Sequence, residues 1–322
     1  MVRSFGIAIG AGVASALLFT ASAKGAGLSI IVAYVTPLPI MIAALGFSQS
    51  TGLLAAVVAS GAIALVLGFL PAAFFAGLLG FPSWFLCFLS LLARPLNVSG
   101  PGAPADKPGL LLWYPMGRVA AWAAAIVAGV LLAVGALVIL HFNGFEPAVS
   151  AISSRVSDLV GPGGDDLSAG TTTRNLVKML PILLAASAFL MLMVNLWLAG
   201  RIVERSSLLV RPWPSIPENY RLPKVAALTL VVGGLVAVTG GAAGLAGGVV
   251  ASAFATAFVF QGLGAAHALT RGLAARRLIL SAIYFITFTV VPSLLALAVL
   301  GVVDCLLPLR HRQAAQPPLP KA

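Results

Sequence analysis

The sequence predicts an all-α polytopic membrane bundle of eight or nine spans, and three observations carry that prediction. Residues 25–93 contain no Asp, Glu, Lys or Arg. Five further runs, 4–23, 119–140, 179–200, 225–270 and 278–303, are equally free of them. The whole chain is 60% apolar and 8% charged, with a mean hydropathy of +1.08, whereas soluble domains carry roughly 25% charged residues. A spanning helix needs about 20 mostly apolar residues to cross about 30 Å of hydrocarbon. The first run is therefore three spans and 225–270 two. Backbone groups in lipid must be satisfied internally, which leaves helix bundles and closed barrels. These runs lack the alternation of barrel strands, and their Ala, Leu, Gly and Val suit packed helices.

Each element follows in order. Arg3, an apolar run and Ala21-Ser22-Ala23 are similar to a secretory signal, but the run is slightly long for one, so a retained first helix is expected. Ala8, Gly12 and Ala16, with Gly10 and Ala14 beside them, form a flat strip that admits a neighbouring helix or a partner protein. Gln49, Ser50 and Thr51 separate helices over 28–45 and 52–70, and Pro71 separates the latter from a helix ending near Ala93. That proline-flanked segment either crosses, giving nine spans, or dips, giving eight.

Residues 141–178 form the sizeable loop of their side. Val149, Ile152, Val156 and Val160 recur at helical spacing after Pro147, predicting a short interfacial helix and then a turn over 161–170. It serves either as a lid or as a connector. In the long late run, Gly240, Gly241, Gly244, Gly247 and Gly248 offer either a corner between helices 225–239 and 249–268 or a packing surface. Pro292 is expected to kink the last helix rather than end it.

Lys and Arg accumulate on the cytoplasmic side of membrane proteins. With the amino terminus inside and nine spans, twelve of them fall inside, the loop 201–224 being the richest, and seven outside. This describes one integral membrane domain over 1–310 with a disordered tail over 311–322. The net charge of +11 is spread over loop ends without a basic helix or aromatic platform, so lipid head groups, not nucleic acid, are the expected partner.

The motifs exclude several chemistries. No phosphate loop ends in Gly-Lys-Ser/Thr, no Gly-x-Ser-x-Gly elbow occurs, and His141, His267 and His311 are scattered, which argues against a nucleotide hydrolase, a serine hydrolase or a zinc protease. Cys87 and Cys305 lie far apart with no pair spacing. No catalytic residue, metal or cofactor is expected, and no enzymatic activity.

What remains are polar residues where lipid makes them costly, about 2.5–3.5 kcal/mol for a charge at the helix centre. Gln261 and His267 stand roughly 120° apart around one helix, with Gly264 between them. With Tyr284 they form a candidate ligand pocket, or else His267 simply bonds a loop. Asp304, six residues before Arg310, is expected to pair with it or with a loop arginine. Asn195, Thr287 and Ser293 suit interhelical hydrogen bonds.

Gly301-Val302-Val303-Asp304 followed by Leu309-Arg310, Gln261-Gly262-Leu263 with His267, Tyr220-Arg221-Leu222-Pro223 and the Pro37–Pro39 region together resemble the YybS-like family of bacterial multi-pass membrane proteins. Cys305-Leu306-Leu307-Pro308 departs from that pattern, which is more aromatic and acidic there. The family is remotely similar to the substrate-binding S components of energy-coupling-factor transporters and to the scaffold MreD. The resemblance implies a bacterial inner membrane location and supplies no substrate. An S component would capture a small molecule, depend on a separate ATPase complex and dock a coupling subunit on its first helix. A scaffold would hold a cytoplasmic partner with its basic inner loops. Converging polar groups in an enclosed cavity distinguish the first from the second.

Overall fold

The structure is a computed structural model that describes residues 2–23, 29–95, 111–160, 167–290, 292–307 and 309–310. Lys107, the tail 311–322 and most of the turn 161–170 lie outside them. Among the described residues seven helical segments are long and apolar enough to span: Ser4–Ser22, Ser29–Gly46, Gln49–Leu67, Phe69–Ser90, Met116–His141, Thr171–Arg205 and Gly241–Leu269. Two shorter apolar helices, Lys224–Ala237 and Ser293–Leu306, accompany them. The helical polytopic bundle is thus what the long uncharged runs build.

The chain folds into two compact units, one of Met1–Ala123 with Met191–Asn219 and one of Ala124–Leu190 with Tyr220–Ala322. In the first unit, α1 (Val2–Ala23) is followed by α2 (Ser29–Tyr34) and α3 (Leu38–Gly46), which Pro37 and Pro39 divide. Next come α4 (Gln49–Leu67), α5 (Phe69–Phe75), a single π turn (Ala76–Gly80) and α6 (Phe81–Ser90). Ser48 caps α4 by accepting from the Thr51 N–H at 3.1 Å, the usual service of a serine at that position. The break before α5 falls at Gly68, whose φ of +96° suits glycine. Pro71, expected to make that break, instead sits in the first turn of α5, where no intrahelical donor is lost.

The Ala8, Gly12 and Ala16 strip of α1 is buried against α4. A Cβ on Gly12 would lie 2.6 Å from the Ala55 carbonyl oxygen, so the small residues bring two backbones together. Ser15 donates to the Thr36 carbonyl at 2.9 Å. Asn195 donates to Tyr34 O at 2.5 Å and Met191 O at 2.7 Å, an interhelical bond of the expected kind.

Strands β1 (Ala93–Pro95) and β2 (Leu111–Trp113) pair antiparallel before α7 (Met116–His141). Then come α8 (Phe145–Val160), α9 (Leu167–Arg205) and the single turn α10 (Ile216–Asn219). Helix α8 is the element the 149–160 spacing predicts, and it begins two residues before Pro147. The expected loop nevertheless ends early. With 39 residues, α9 is about 58 Å long, and its first turns occupy what sequence reading assigned to loop.

In the second unit, α11 (Lys224–Ala237) turns into α12 (Gly241–Leu269), followed by α13 (Arg276–Thr289) and α14 (Ser293–Leu306). The glycine-rich run divides its labour. Gly240 and Gly241, at φ +75° and +61°, make the corner, a conformation only glycine adopts cheaply. Gly244 and Gly247 face α11, and a Cβ on Gly247 would lie 2.5 Å from Ala237 N. Gly248 faces Ile182 of α9. Pro292 does not kink one long helix. It ends the run at α13 and precedes α14, because its ring lacks the N–H that would continue the ladder. Each half has 14 residues, about 21 Å, shorter than the hydrocarbon layer.

Candidate functional site

The polar residues singled out in the late helices fall into two groups within the second unit. The first is built where α12 and α14 cross. Gly262 on α12 and Gly301 on α14 lie at that crossing, with no room for a side chain on either: a Cβ on Gly262 would strike the Leu297 carbonyl, and one on Gly301 the Phe258 carbonyl. This close approach brings Gln261, 0% exposed, against Asp304 at the end of α14.

The Gln261 amide is used at both ends. Its Nε2 donates to Asp304 Oδ2 at 2.9 Å, and its Oε1 accepts the Leu222 N–H at 2.8 Å. Arg310 folds back to donate from Nε to Asp304 Oδ1 at 3.1 Å and from Nη2 to Oδ2 at 2.6 Å. Its Nη2 also reaches the Gln261 carbonyl at 3.3 Å. The two charged side chains are 4% and 1% exposed. Beside them Tyr220, also buried, donates to the Ala257 carbonyl at 3.1 Å, and the Cys305 thiol points at the Leu222 carbonyl at 3.3 Å.

The chemical meaning is closure. An ion pair this deep costs several kcal/mol per ion in lost hydration, returned only when geometry is good and the remaining lone pairs are filled. Here the carboxylate accepts from both an amide and a fork-shaped guanidinium, the charge-assisted arrangement that is strongest. The network clamps four pieces of chain together: α12, α14, the segment after α14, and the 220–223 connection. Three of the four short motifs singled out in the sequence lie in those segments and meet in space although they are up to 90 residues apart, from Tyr220 to Arg310; the Pro37–Pro39 region belongs to the first unit.

The second group is His267 with Tyr284. The histidine Nδ1 faces the Leu263 carbonyl at 2.9 Å, and Nε2 lies 3.5 Å from the Tyr284 hydroxyl. Facing a carbonyl, Nδ1 is the N–H donor of the first contact. Tyr284 is 40% exposed, so this pair stands open where the Gln261 network is shut. Gln261 and His267 share α12, but Gln261 turns to Asp304 and His267 to α13. The structure thus brings Gln261, Asp304 and Arg310 together, pairs His267 with Tyr284, and places Asn195 in the other unit. Thr287 and Ser293 donate to main-chain carbonyls of α13.

Two polar features had no clear sequence signal. Glu146 on α8 is bonded to Arg174 and lies 3.5 Å from Lys178, both at the start of α9. The hydrogen bond from Arg174 holds the Glu146 carboxyl below the usual carboxylate range, and it ties α8 to α9. In the first unit, Arg211 is buried although its position, between Val210 and Pro212, reads as an ordinary loop cation. Among the described residues no group of three or more His, Cys, Asp and Glu is arranged to hold a metal ion.

Comparison with known proteins adds one match. The family described as "Predicted membrane protein (DUF2232)" matches residues 115–305, 191 of the 322 residues, a stretch that runs from the start of α7 to the end of α14. No curated protein and no solved structure matches the chain.

Proposed function

Because the chain belongs to the DUF2232 family of predicted membrane proteins, we propose that it is a non-enzymatic multi-pass scaffold of the bacterial inner membrane, with its amino terminus in the cytoplasm. The observation that carries this reading is the saturation of Gln261. Both ends of its amide are taken by Leu222 and Asp304, and Arg310 closes the carboxylate. A capture site must offer unsatisfied donors and acceptors to its ligand; here Gln261, Asp304 and Arg310 bond one another and the main chain. The Ala8, Gly12 and Ala16 strip supports the same reading, since α4 already covers the face on which an S component would dock its coupling subunit. In a scaffold, the basic connections 91–115 and 201–224 hold a cytoplasmic partner.

A capture subunit is the second reading, favoured by the open His267–Tyr284 pair, which retains hydrogen-bonding capacity toward a small ligand. Affinity purification of the full chain in mild detergent separates the two. Scaffolding expects cell-envelope proteins to co-purify without an ATPase. Stoichiometric recovery of an ATPase with a membrane coupling subunit overturns it in favour of capture.

A further inference from the structure

Arg211 is 5% exposed, and its guanidinium has no carboxylate partner among the described residues. Its contacts are all made by one nitrogen. Nη1 donates to the Ser90 carbonyl at 2.6 Å and the Tyr114 carbonyl at 3.2 Å, and lies 3.8 Å from the Met116 sulfur. The ring of Trp113 lies 5.7 Å from the guanidinium carbon. Nε is enclosed, and among the described residues neither it nor Nη2 has a hydrogen-bond partner. The Nε–Nη2 edge is the side on which a guanidinium takes two oxygens of one oxyanion.

Neutral carbonyls do not balance a buried cation. Ser90 is the last residue of α6, so the helix end contributes a partial negative charge of about half an electron, and among the described residues nothing further compensates the cation. Burial pushes the guanidinium down to about 10, the direction expected when hydration is lost without a counter-charge. The place supplies the missing anion. One span ends at Ser90 and another begins at Met116, and the guanidinium touches both residues, so it lies at the depth where hydrocarbon gives way to head groups. Trp113, Tyr114 and Trp122 cluster there, with the Trp122 indole 3.3 Å from the Tyr114 hydroxyl, as aromatic side chains do at that boundary. Arg94, Arg118, Arg201 and Arg205 in the same segments favour a lipid of net negative charge.

We propose that Arg211 binds the phosphate of an anionic phospholipid head group through its Nε–Nη2 edge, on the face formed by the end of α6 and the start of α7. The test uses the full chain, delipidated in an uncharged maltoside, with thermal unfolding followed by tryptophan fluorescence. Phosphatidylglycerol, phosphatidylcholine and inorganic phosphate are added separately to the wild type, Arg211→Gln and Arg211→Lys. Phosphatidylglycerol is expected to raise the wild-type midpoint by about 5 °C more than phosphatidylcholine does. Arg211→Gln should lose that preference. If Arg211→Gln does not fold, Arg211→Lys decides: it keeps the charge but not the two-donor edge, and should lose at least half of the preference. Equal shifts from the two lipids on the wild type, an unchanged preference in either folded variant, or reproduction of the shift by inorganic phosphate each overturn the proposal.

Discussion

Replacing Asp304 by alanine tests whether the network between α12, α14 and Arg310 holds the second unit together. The substitution strips from Arg310 its two bonds to the carboxylate, at 3.1 and 2.6 Å, and from Gln261 Nε2 its acceptor at 2.9 Å. With both charged side chains at 4% exposure or less, water does not replace what is lost. Breaking a buried pair on one side costs about 3–5 kcal/mol. For a chain of this size that lowers the unfolding midpoint by about 6–10 °C. The assay is thermal unfolding in maltoside of the wild type, Asp304→Ala, Arg310→Met and Asp304→Ala with Arg310→Met together. The double variant removes both charges and should be less destabilised than the sum of the singles, with a coupling of about 2 kcal/mol. A shift under about 1 °C for Asp304→Ala, or strict additivity in the cycle, refutes the reasoning.

Three further outcomes follow from particular contacts. Gly262→Leu and Gly301→Leu should each destabilise by about 3 kcal/mol or more through overpacking at the α12–α14 crossing, whereas Gly10→Leu, with open space around it, should be tolerated in the same thermal assay. Tyr284→Phe removes only a 3.5 Å contact from a partly exposed site and should alter stability by no more than about 0.5 kcal/mol; a ligand whose binding falls tenfold in this variant would favour capture over scaffolding. Because Arg174 depresses the Glu146 carboxyl, the α8–α9 tie is fully present above the ordinary carboxylate range and is lost as the pH falls through the lowered value. Hydrogen-exchange protection over α8, corrected for the intrinsic pH dependence of amide exchange, should therefore fall at acid pH in the wild type and lose that dependence in Glu146→Gln.

Much of the bundle is legible in the chain because lipid imposes it locally. A run of about 20 uncharged apolar residues has few alternatives to a helix, so the spans follow from composition, and the helix over 145–160 follows from spacing. Breaks are harder to read, because proline and glycine act differently with position. Pro71 is harmless in a first turn, Pro292 stops a helix, and in one glycine run two residues turn the chain while three pack. Those outcomes depend on which helix lies opposite.

The sequence by itself determined that this protein is helical and membrane-embedded, and it singled out Gln261, Asp304, Arg310, His267 and Tyr284 as polar residues that need a reason. It did so because the cost of polarity in lipid depends on residue type and depth alone. Only the tertiary structure decided their partners: Gln261 with Leu222 and Asp304, His267 with Tyr284, Arg211 with the end of α6. Hydrogen bonds act over about 3 Å, and which groups come that close across 17 to 121 residues of chain is set by helix crossings such as Gly262 on Gly301, which local pattern does not encode.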